Sequence, residues 1–343
     1  MHFSKPLITW YLAHKRDLPW RKTNNPYAIW LSEIMLQQTR VAQGLPYYFA
    51  FLEAFPTVFD LANAHEEQVL KLWQGLGYYS RARNLHNTAK YVATELDGKF
   101  PNNYTDLLQL KGVGEYTAAA IASFSYNEVV PVVDGNVYRV LARYLGIETD
   151  ISSPKAKKEF TALAFELIDK KQPAVFNQAI MEFGALQCVP KNPDCTVCPL
   201  NNSCFAISNK KVTALPVKIK KTKVINRYFN YLLIIDTEDK TIAHKRNQKG
   251  IWHNLYEFPL IETEKPESSE VIIEMIKTKV PNLTTIIHLV SEITIHKLSH
   301  QHLHINFWKI EINEIHKNGI NHNELLHLPV PIVLHHFIER NRF

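Results

Sequence analysis

Apolar residues recur three and four positions apart through most of the first 208 residues, a spacing typical of amphipathic helices. Residues 69–76, 82–96 and 155–169 show this pattern most clearly. Short breaks that contain glycine or proline, such as Phe55-Pro56 and residues 98–101, separate the helical stretches. The pattern therefore predicts an all-α region from Ser4 to about Ser208.

The pattern changes after Arg227, where runs rich in β-branched and aromatic residues replace the helical spacing. Residues 228–236 and 240–245 predict a hairpin of two strands, and residues 270–280 predict a helix. Residues 286–295 and 302–310 predict further strands. We therefore expect a separate α+β domain at residues 228–343.

A basic segment lies between these two regions. Residues 206–227 contain seven lysines and arginines and no acidic residue, with Pro216 near the middle. Such a segment is either a solvated connector or a strap along the phosphates of a nucleic acid. We expect a linker at residues 211–227.

The composition is that of an ordinary globular protein of more than one domain, with 343 residues, 46% hydrophobic and 21% charged. No long uninterrupted apolar run and no signal peptide are apparent, so we expect a cytoplasmic protein without membrane contact. The formal net charge of +6 is compatible with a polyanionic partner without establishing one.

Four cysteines, the only ones in the chain, lie within 17 residues with the spacing C-x6-C-x2-C-x5-C. Clustered thiols in a cytoplasmic chain indicate metal ligands more than disulfides. Both zinc and an iron–sulfur cubane take four sulfur ligands. Zinc ribbons usually carry two close pairs, whereas here only one exists, which favours an iron–sulfur cluster. The ligands would be Cys188, Cys195, Cys198 and Cys204.

The stretch Lys111-Gly112-Val113-Gly114 precedes an alanine-rich helix predicted at residues 117–124. Two glycines allow a tight turn, and the free N–H groups at the following helix start form an anion site that suits a phosphodiester. Taken alone, the two glycines are better explained by an ordinary helix–helix turn. The sequence Val133-Asp134-Gly135-Asn136, twenty residues later, makes the pattern more specific.

Two acidic residues have apolar sequence neighbours. Glu33 lies in a helix predicted at residues 26–40, with Asn25 as its N-cap, and shares a stripe with Ile29 and Leu36. Such surroundings favour the neutral carboxyl, so Glu33 is a candidate proton donor. Asp134 is either a helix N-cap or a functional carboxylate, or both, and Asn136 is placed to orient it.

These motifs resemble those of known DNA repair enzymes. The cysteine spacing and the glycine hairpin resemble the endonuclease III superfamily of DNA glycosylases, and residues 30–39 and 75–85 closely resemble the MutY-type adenine DNA glycosylases. The resemblance covers nearly the whole chain. It implies a six-helix helix-hairpin-helix domain at residues 25–132, an iron–sulfur helical domain at 1–24 and 133–210 with a [4Fe-4S] cluster, and a MutT-like (Nudix-like) domain at 228–343.

The resemblance also implies catalytic roles. Glu33 would protonate the leaving adenine, and Asp134, oriented by Asn136, would stabilise the oxocarbenium ion or form a covalent intermediate. Tyr116 would lie beside them, where bifunctional relatives carry a Schiff-base lysine. The chain would therefore be a monofunctional glycosylase.

Binding residues follow from the same resemblance. The adenine pocket would contain Arg16, Trp20, Leu36 and Gln178. DNA contacts would come from Gln38, Tyr78, Lys111, Gly112, Val113, Gly114 and Lys191. The 8-oxoguanine would be recognised by Gln38, Tyr78, Ser299 and His300, although Leu298 replaces the phenylalanine of the family's Phe-Ser-His loop. The C-terminal domain lacks the glutamate-dense helix of Nudix hydrolases, which indicates recognition and not hydrolysis.

We therefore expect a monomeric enzyme that removes adenine mispaired with 8-oxoguanine or guanine in double-stranded DNA. One alternative is an endonuclease III-like glycosylase and lyase for oxidised pyrimidines. The other is a non-catalytic protein that binds lesions.

Overall fold

The structure, a computed structural model, describes residues 3–219, 224–280, 283 and 287–342. The chain forms two compact units, Met1–Asn63 with Asn84–Lys220 and Ala64–Arg83 with Lys221–Phe343. Residues 64–83 thus group with the C-terminal part, whereas the sequence prediction kept them within residues 25–132. The division of the first 210 residues into two helical domains remains a prediction.

The first unit is helical in its described part. Its helices are α1 (Ser4–His14), α2 (Pro26–Leu36), α3 (Val41–Ala54), α4 (Val58–Asn63), α6 (Ser80–Glu95, which begins in the second unit), α7 (Tyr104–Leu107), α8 (Glu115–Tyr126), α9 (Gly135–Leu145), α10 (Pro154–Leu167), α11 (Pro173–Leu186) and α12 (Phe205–Ser208). Short 3-10 turns occur at Pro19–Arg21 and Asn201–Ser203. The predicted all-α region is therefore confirmed.

Helix α2 begins where the sequence predicts and ends earlier. The Asn25 side chain accepts hydrogen bonds from the N–H groups of Tyr27 and Ala28, which satisfies donors at the helix start. The helix was predicted to continue to Arg40, which is wrong, because Gln38 has a φ of 55° and cannot lie in a right-handed helix. The helical stripe that carries Glu33 therefore ends at Leu36.

Buried apolar side chains hold the first unit together. Helix α2 is buried on nearly every face and packs against α3 and α8, while α1 and α9 both pack against α11. Large side chains such as Trp30, Phe160 and Phe183 are almost completely buried. Burial of each such side chain stabilises the fold by roughly 1.5–3 kcal/mol, which fixes the helices that carry the polar residues discussed below.

The second unit has a four-stranded sheet with the order β4-β1-β6-β5. Its elements are α5 (Glu66–Leu72), β1 (Ile225–Ile235), β2 (His244–Lys245), β3 (Tyr256–Glu257), β4 (Leu260–Thr263), α13 (Ser269–Lys279), β5 (Ile287–Lys297), β6 (Gln301–Glu311), α14 (His322–His327) and α15 (Ile332–Arg340). Strand β1 is parallel to β6 and antiparallel to β4. The predicted α+β class of this part is confirmed.

The predicted hairpin of residues 228–236 and 240–245 is wrong in its pairing. The two segments meet at their near ends, through the bridge between Ile235 and Thr241 and the hydrogen bond from the Asp236 N–H to the carbonyl oxygen of Lys240, whereas β1 forms its ladders with β4 and β6. Residues His244 and Lys245 pair with β3 instead. Local alternation indicates a strand, but the partner of that strand depends on contacts distant in sequence.

Helix α5 joins the second unit through polar contacts. Glu67 accepts hydrogen bonds from Tyr256 Oη at 2.8 Å and Lys245 Nζ at 3.2 Å, and Lys71 Nζ donates to the carbonyl oxygens of Leu326 and Leu328. These contacts explain why residues 64–83 group with the C-terminal part.

Within the described ranges, no helix has both the length and the apolar character needed to cross a bilayer.

Candidate active site and cysteine cavity

A cleft of about 710 Å³ lies in the first unit, lined by residues of α2, α8 and α10 and by the segment that precedes α9. The cleft brings together residues that the sequence predicted separately as catalytic, pocket and DNA-contacting groups. These are Glu33, Leu36, Gln38, Gly114, Tyr116 and Asp134. Two carboxyl groups from distant parts of the chain therefore share one solvent-accessible site.

Glu33 is only 6% exposed, and its Oε2 accepts a hydrogen bond from Tyr116 Oη at 2.8 Å. Burial raises the pKa of Glu33 to about 7, the nearby Asp134 charge adds to the rise, and the Tyr116 hydrogen bond opposes it. The predicted upward shift is thus confirmed. A carboxyl group with such a pKa can hold and donate a proton near neutral pH.

Asp134 is the N-cap of α9, as one of the two sequence interpretations expected. Its Oδ1 accepts hydrogen bonds from the N–H groups of Asn136 and Val137 at 2.8 Å, and its Oδ2 accepts from Asn136 Nδ2 at 2.7 Å. Burial raises the pKa of Asp134, and these three hydrogen bonds and Arg139 oppose the rise. The carboxylate is held rigidly because the helix start fixes it.

A chain of hydrogen bonds connects Asp134 with the cysteine segment. Arg139 Nη2 donates to Asn136 Oδ1 at 2.8 Å, and Arg139 Nε donates to the carbonyl oxygen of Cys188 at 2.7 Å. The amide group that orients Asp134 is therefore itself oriented by an arginine of α9.

The glycine hairpin has the geometry that its sequence predicts. Gly112 has a φ of 77°, and a Cβ there would lie 2.7 Å from Asn84 Cβ, so both backbone and space require glycine. Gly114 precedes α8, and Val113 is buried. Lys111 is exposed beside the turn, and its carbonyl oxygen accepts from Thr88. Lys191, the other predicted phosphate contact, is also exposed.

Three of the predicted adenine-pocket residues do not line the cleft. The side chain of Arg16 forms a bidentate pair with buried Glu182, which also accepts from Arg21. Gln178 accepts from Arg21 Nε at 3.1 Å, and Trp20 is buried. Burial raises the pKa of Glu182, but the hydrogen bonds from Arg21 and Arg16 outweigh it and lower the pKa to about 2.

Sequence reasoning missed several residues that line the cleft, among them Tyr104, Lys157 and Thr161. Lys157 and Thr161 stand four positions apart in α10, which places both on one face of that helix. This spacing was visible in the sequence, but nothing local indicated that this face of α10 borders the site.

Tyr78 and Ser299 lie together in the second unit, where their hydroxyl groups are hydrogen-bonded. Tyr78 has a φ of 48°, a left-handed conformation that is rare and costly for a tyrosine. Arg81 stabilises this turn, since its Nη2 donates to the carbonyl oxygens of Leu76 and Gly77. The adjacent His300 is exposed. Tyr78 and Ser299, which were both predicted to recognise 8-oxoguanine, are therefore in contact.

The four cysteines are half-buried free thiols that line one cavity of the first unit, as their spacing predicts. Arg143 Nη1 lies 3.4 Å from Cys188 Sγ and also donates to the carbonyl oxygen of Val189. Burial raises the pKa of Cys198 to about 11, and the charges of the other three cysteines add to the rise.

This arrangement fits a cofactor that takes several thiolate ligands. All four sulfurs face one cavity, although no group of three or more His, Cys, Asp or Glu among the described residues is arranged as it would be around a metal ion. Four thiolates of like charge would need a cationic group between them, and both zinc and an iron–sulfur core can supply one.

Comparison with known proteins agrees with this architecture. Residues 31–165 match the HhH-GPD superfamily of base excision DNA repair proteins, and residues 230–340 match the NUDIX domain. The solved structure of a thermostable thymine-DNA glycosylase superposes with a TM-score of 0.55 and 28% identity, covering 60% of this chain and 95% of that one. The fold and the site thus define a HhH-GPD base excision repair protein with a C-terminal NUDIX domain.

Curated relatives specify the family within this class. The adenine DNA glycosylase of Buchnera aphidicola subsp. Schizaphis graminum is 37% identical over 304 residues, covering 88% of this chain and 86% of its own. That of Buchnera aphidicola subsp. Baizongia pistaciae is 36% identical over 344 residues, covering 96% and 94%. The chain belongs to the adenine DNA glycosylase family.

Proposed function

We propose that the protein removes adenine mispaired with 8-oxoguanine or guanine from double-stranded DNA, by hydrolysis of the N-glycosidic bond. The observation that carries the proposal is the pairing of Glu33 and Asp134 in one cleft, with the pKa of Glu33 raised to about 7. Cleavage of this bond needs a proton donor for the base and a negative charge for the sugar. The cleft offers both.

Glu33 acts as the general acid in this proposal. Adenine is a poor leaving group as an anion, and a proton at N7 converts it to a neutral one. The Tyr116 hydroxyl fixes the orientation of the Glu33 carboxyl through its 2.8 Å hydrogen bond. Burial keeps the proton on Glu33 at near-neutral pH until the base accepts it.

Asp134 acts on the sugar. As the bond to adenine breaks, the sugar develops oxocarbenium character, and an ionised carboxylate beside C1′ stabilises that charge or forms a covalent intermediate. The hydrogen bonds from Asn136 and Val137 hold the carboxylate in place before the reaction. Because the carboxylate is already in position, it does not have to reorient when the positive charge develops in the transition state.

Tyr116 supports a glycosylase without lyase activity. A phenol hydrogen-bonded to Glu33 cannot form the Schiff base through which bifunctional enzymes cut the strand. The endonuclease III-like alternative therefore lacks its nucleophile at this position.

Recognition of 8-oxoguanine falls to Tyr78, Ser299 and His300 in this proposal. The adjoining hydroxyl groups of Tyr78 and Ser299 can exchange their mutual hydrogen bond for bonds to the base. The strained backbone at Tyr78 agrees with a residue held ready to enter the base stack. Gln38, also at positive φ, is proposed as a further DNA contact.

The cysteines are proposed to hold a [4Fe-4S] cluster. When bound, the cluster would cross-link the segment from Cys188 to Cys204 and thereby hold exposed Lys191 near the DNA backbone.

Hairpin residues 111–114 would bind another phosphate through the N–H groups before α8. Arg16, Trp20, Leu36 and Gln178 remain proposed as pocket residues, and a cytoplasmic monomer with its predicted domain boundaries remains our proposal.

The test is single-turnover base release from a duplex with adenine opposite 8-oxoguanine, compared with adenine opposite guanine. We expect an abasic product from both, with the first faster. Glu33→Gln should abolish release, whereas Glu53→Gln, a matched change at an exposed position of α3, should not.

Other outcomes separate the alternatives. Borohydride trapping of a covalent adduct on thymine-glycol DNA would favour the endonuclease III-like function. Tight binding of the mispair without any base release would favour a lesion-binding protein.

A further inference from the structure

One wall of the cleft carries polar residues that the proposed base chemistry does not use. We call these residues, which are Tyr104, Glu115, Tyr138, Lys157 and Thr161, the polar rim; all of them line the cleft. Lys157 and Thr161 come from α10, and Glu115 from the first turn of α8. Residues from separate helices therefore place an ammonium group and three hydroxyl groups around one part of the cleft.

An exposed ion pair lies at the centre of the polar rim. Lys157 Nζ is 2.8 Å from Glu115 Oε1, and the two side chains are 56% and 54% exposed. The hydrogen bond to Glu115 raises the pKa of Lys157, so the ammonium remains charged at neutral pH. An ion pair this exposed contributes little stability and can exchange partners at low cost.

The other charged groups of the cleft indicate that this ion pair has a role in binding. Three carboxyl groups, those of Glu33, Glu115 and Asp134, line the cleft, and each of them repels a phosphate when it is ionised. Among the described residues that line it, Lys157 is the one lysine or arginine. A DNA strand that delivers a base to Glu33 must bring its phosphates past this wall.

We propose that the polar rim binds a phosphodiester of the DNA strand that carries the excised base. The ammonium of Lys157 exchanges Glu115 for a phosphate oxygen, and the hydroxyl of Thr161 donates a second hydrogen bond. Lysine, threonine and tyrosine side chains are usual phosphate contacts in protein–DNA complexes. This contact uses side chains, whereas the adjoining glycine hairpin would use backbone N–H groups. It rests on the proposed function, since that function supplies the DNA.

The experiment measures the Kd of the full-length protein for a duplex with 2′-fluoro-adenosine opposite 8-oxoguanine, over a series of salt concentrations. The fluorine destabilises the oxocarbenium ion, so this duplex binds without being cut. Lys157→Ala should weaken binding about tenfold at low salt. It should also reduce the slope of log K against log salt by about 0.9, the value for one phosphate contact.

Two further variants sharpen the test. Lys158→Ala removes an exposed lysine of α10 that is not among the cleft residues, so it should leave the slope unchanged. Glu115→Gln removes the competing carboxylate and should tighten binding. Melting temperatures of all variants should match that of the wild type, since the ion pair is exposed.

An unchanged Kd and slope in Lys157→Ala would overturn the proposal. Equal losses in Lys157→Ala and Lys158→Ala would do the same, because they would indicate only general electrostatic attraction. Weaker binding by Glu115→Gln would also contradict the proposal, because it would mean that Glu115 holds Lys157 in position and does not compete with the phosphate. If the wild type releases no adenine, the proposed function fails, but the salt slope still decides the phosphate contact.

Discussion

The hydroxyl of Tyr116 donates a 2.8 Å hydrogen bond to Glu33 Oε2 inside the cleft, although 83 residues separate the two. The bond favours the ionised carboxylate, while burial of Glu33 favours the neutral acid and outweighs it. Tyr116 therefore opposes the rise in the pKa of Glu33 that burial causes. In a catalyst that uses Glu33 as an acid, this balance sets the pH range of activity.

Tyr116→Phe should move the pH dependence of base release. In the wild type the single-turnover rate should fall as pH rises through about 7, because Glu33 loses its proton. Loss of a hydrogen bond to a charged group, about 1.5 kcal/mol, should shift the midpoint upward by about one pH unit. Tyr126→Phe, a matched change outside the cleft lining, should leave the midpoint in place. An unshifted midpoint in Tyr116→Phe would contradict the assignment.

Glu33→Gln should be more stable than the wild type, and the difference should grow as pH rises. Glu33 has a pKa of about 7 in the folded state against 4.5 as its ordinary value. Between these pH values the folded state holds more protons than the unfolded one, so stability falls as pH rises and stays low above 7. Glutamine avoids this cost, which is at most about 3 kcal/mol.

The measurement is the urea midpoint of Glu33→Gln and of wild type at pH 5 and pH 8. We expect a clear gain for the variant at pH 8 and a small one at pH 5. Glu53→Gln should show no such difference between the two pH values. Equal stability of wild type and Glu33→Gln at pH 8 would mean that burial does not raise the pKa of Glu33.

Substitutions of Asp134 should separate its capping role from its catalytic role. Asparagine caps a helix as well as aspartate does, so Asp134→Asn should keep the stability of α9 and lose base release. Asp134→Ala should lose both, with a stability cost of about 1 kcal/mol. Thermal unfolding and single-turnover rates measure the two effects. Substantial activity in Asp134→Asn would exclude a role for the charge.

Arg143→Leu should loosen the proposed cluster site. Arg143 is 3% exposed and donates to the carbonyl oxygens of Val189, Pro190 and Leu215, so its loss leaves buried acceptors unpaired. Iron content and visible absorbance after dialysis against a chelator should fall faster than in wild type. Arg340→Leu, at an exposed position of α15, is the matched control. Identical iron loss in all three proteins would contradict the prediction.

Much of the local structure could be predicted because it depends on residues close in sequence. Asn25-Pro26 starts α2, and Asp134 caps α9, through hydrogen bonds to N–H groups two or three residues away. Gly112 adopts positive φ where the hairpin requires it. The four cysteines face one cavity because they lie within 17 residues. In each case the short chain between the partners leaves few alternative arrangements.

Where helices end and how strands pair could not be predicted from neighbouring residues in the sequence. The end of α2 at Leu36 and the pairing of β1 with β4 and β6 both differ from the predictions. Helical periodicity shows which residues share a stripe, but the left-handed turn at Gln38 ends the stripe. Alternation shows a strand without showing its partner, which the sheet as a whole selects.

The sequence by itself determined the family, the helical and α+β regions, the cysteine cavity and the identity of the two carboxyl groups. Only the tertiary structure decided that Tyr116 contacts Glu33, that Tyr78 meets Ser299, and that Lys157 faces the cleft. The physical reason is that burial and long-range packing determine these contacts. A carboxyl group has an ordinary pKa until apolar helices enclose it, and a lysine on a helix is ordinary until that helix borders a cleft.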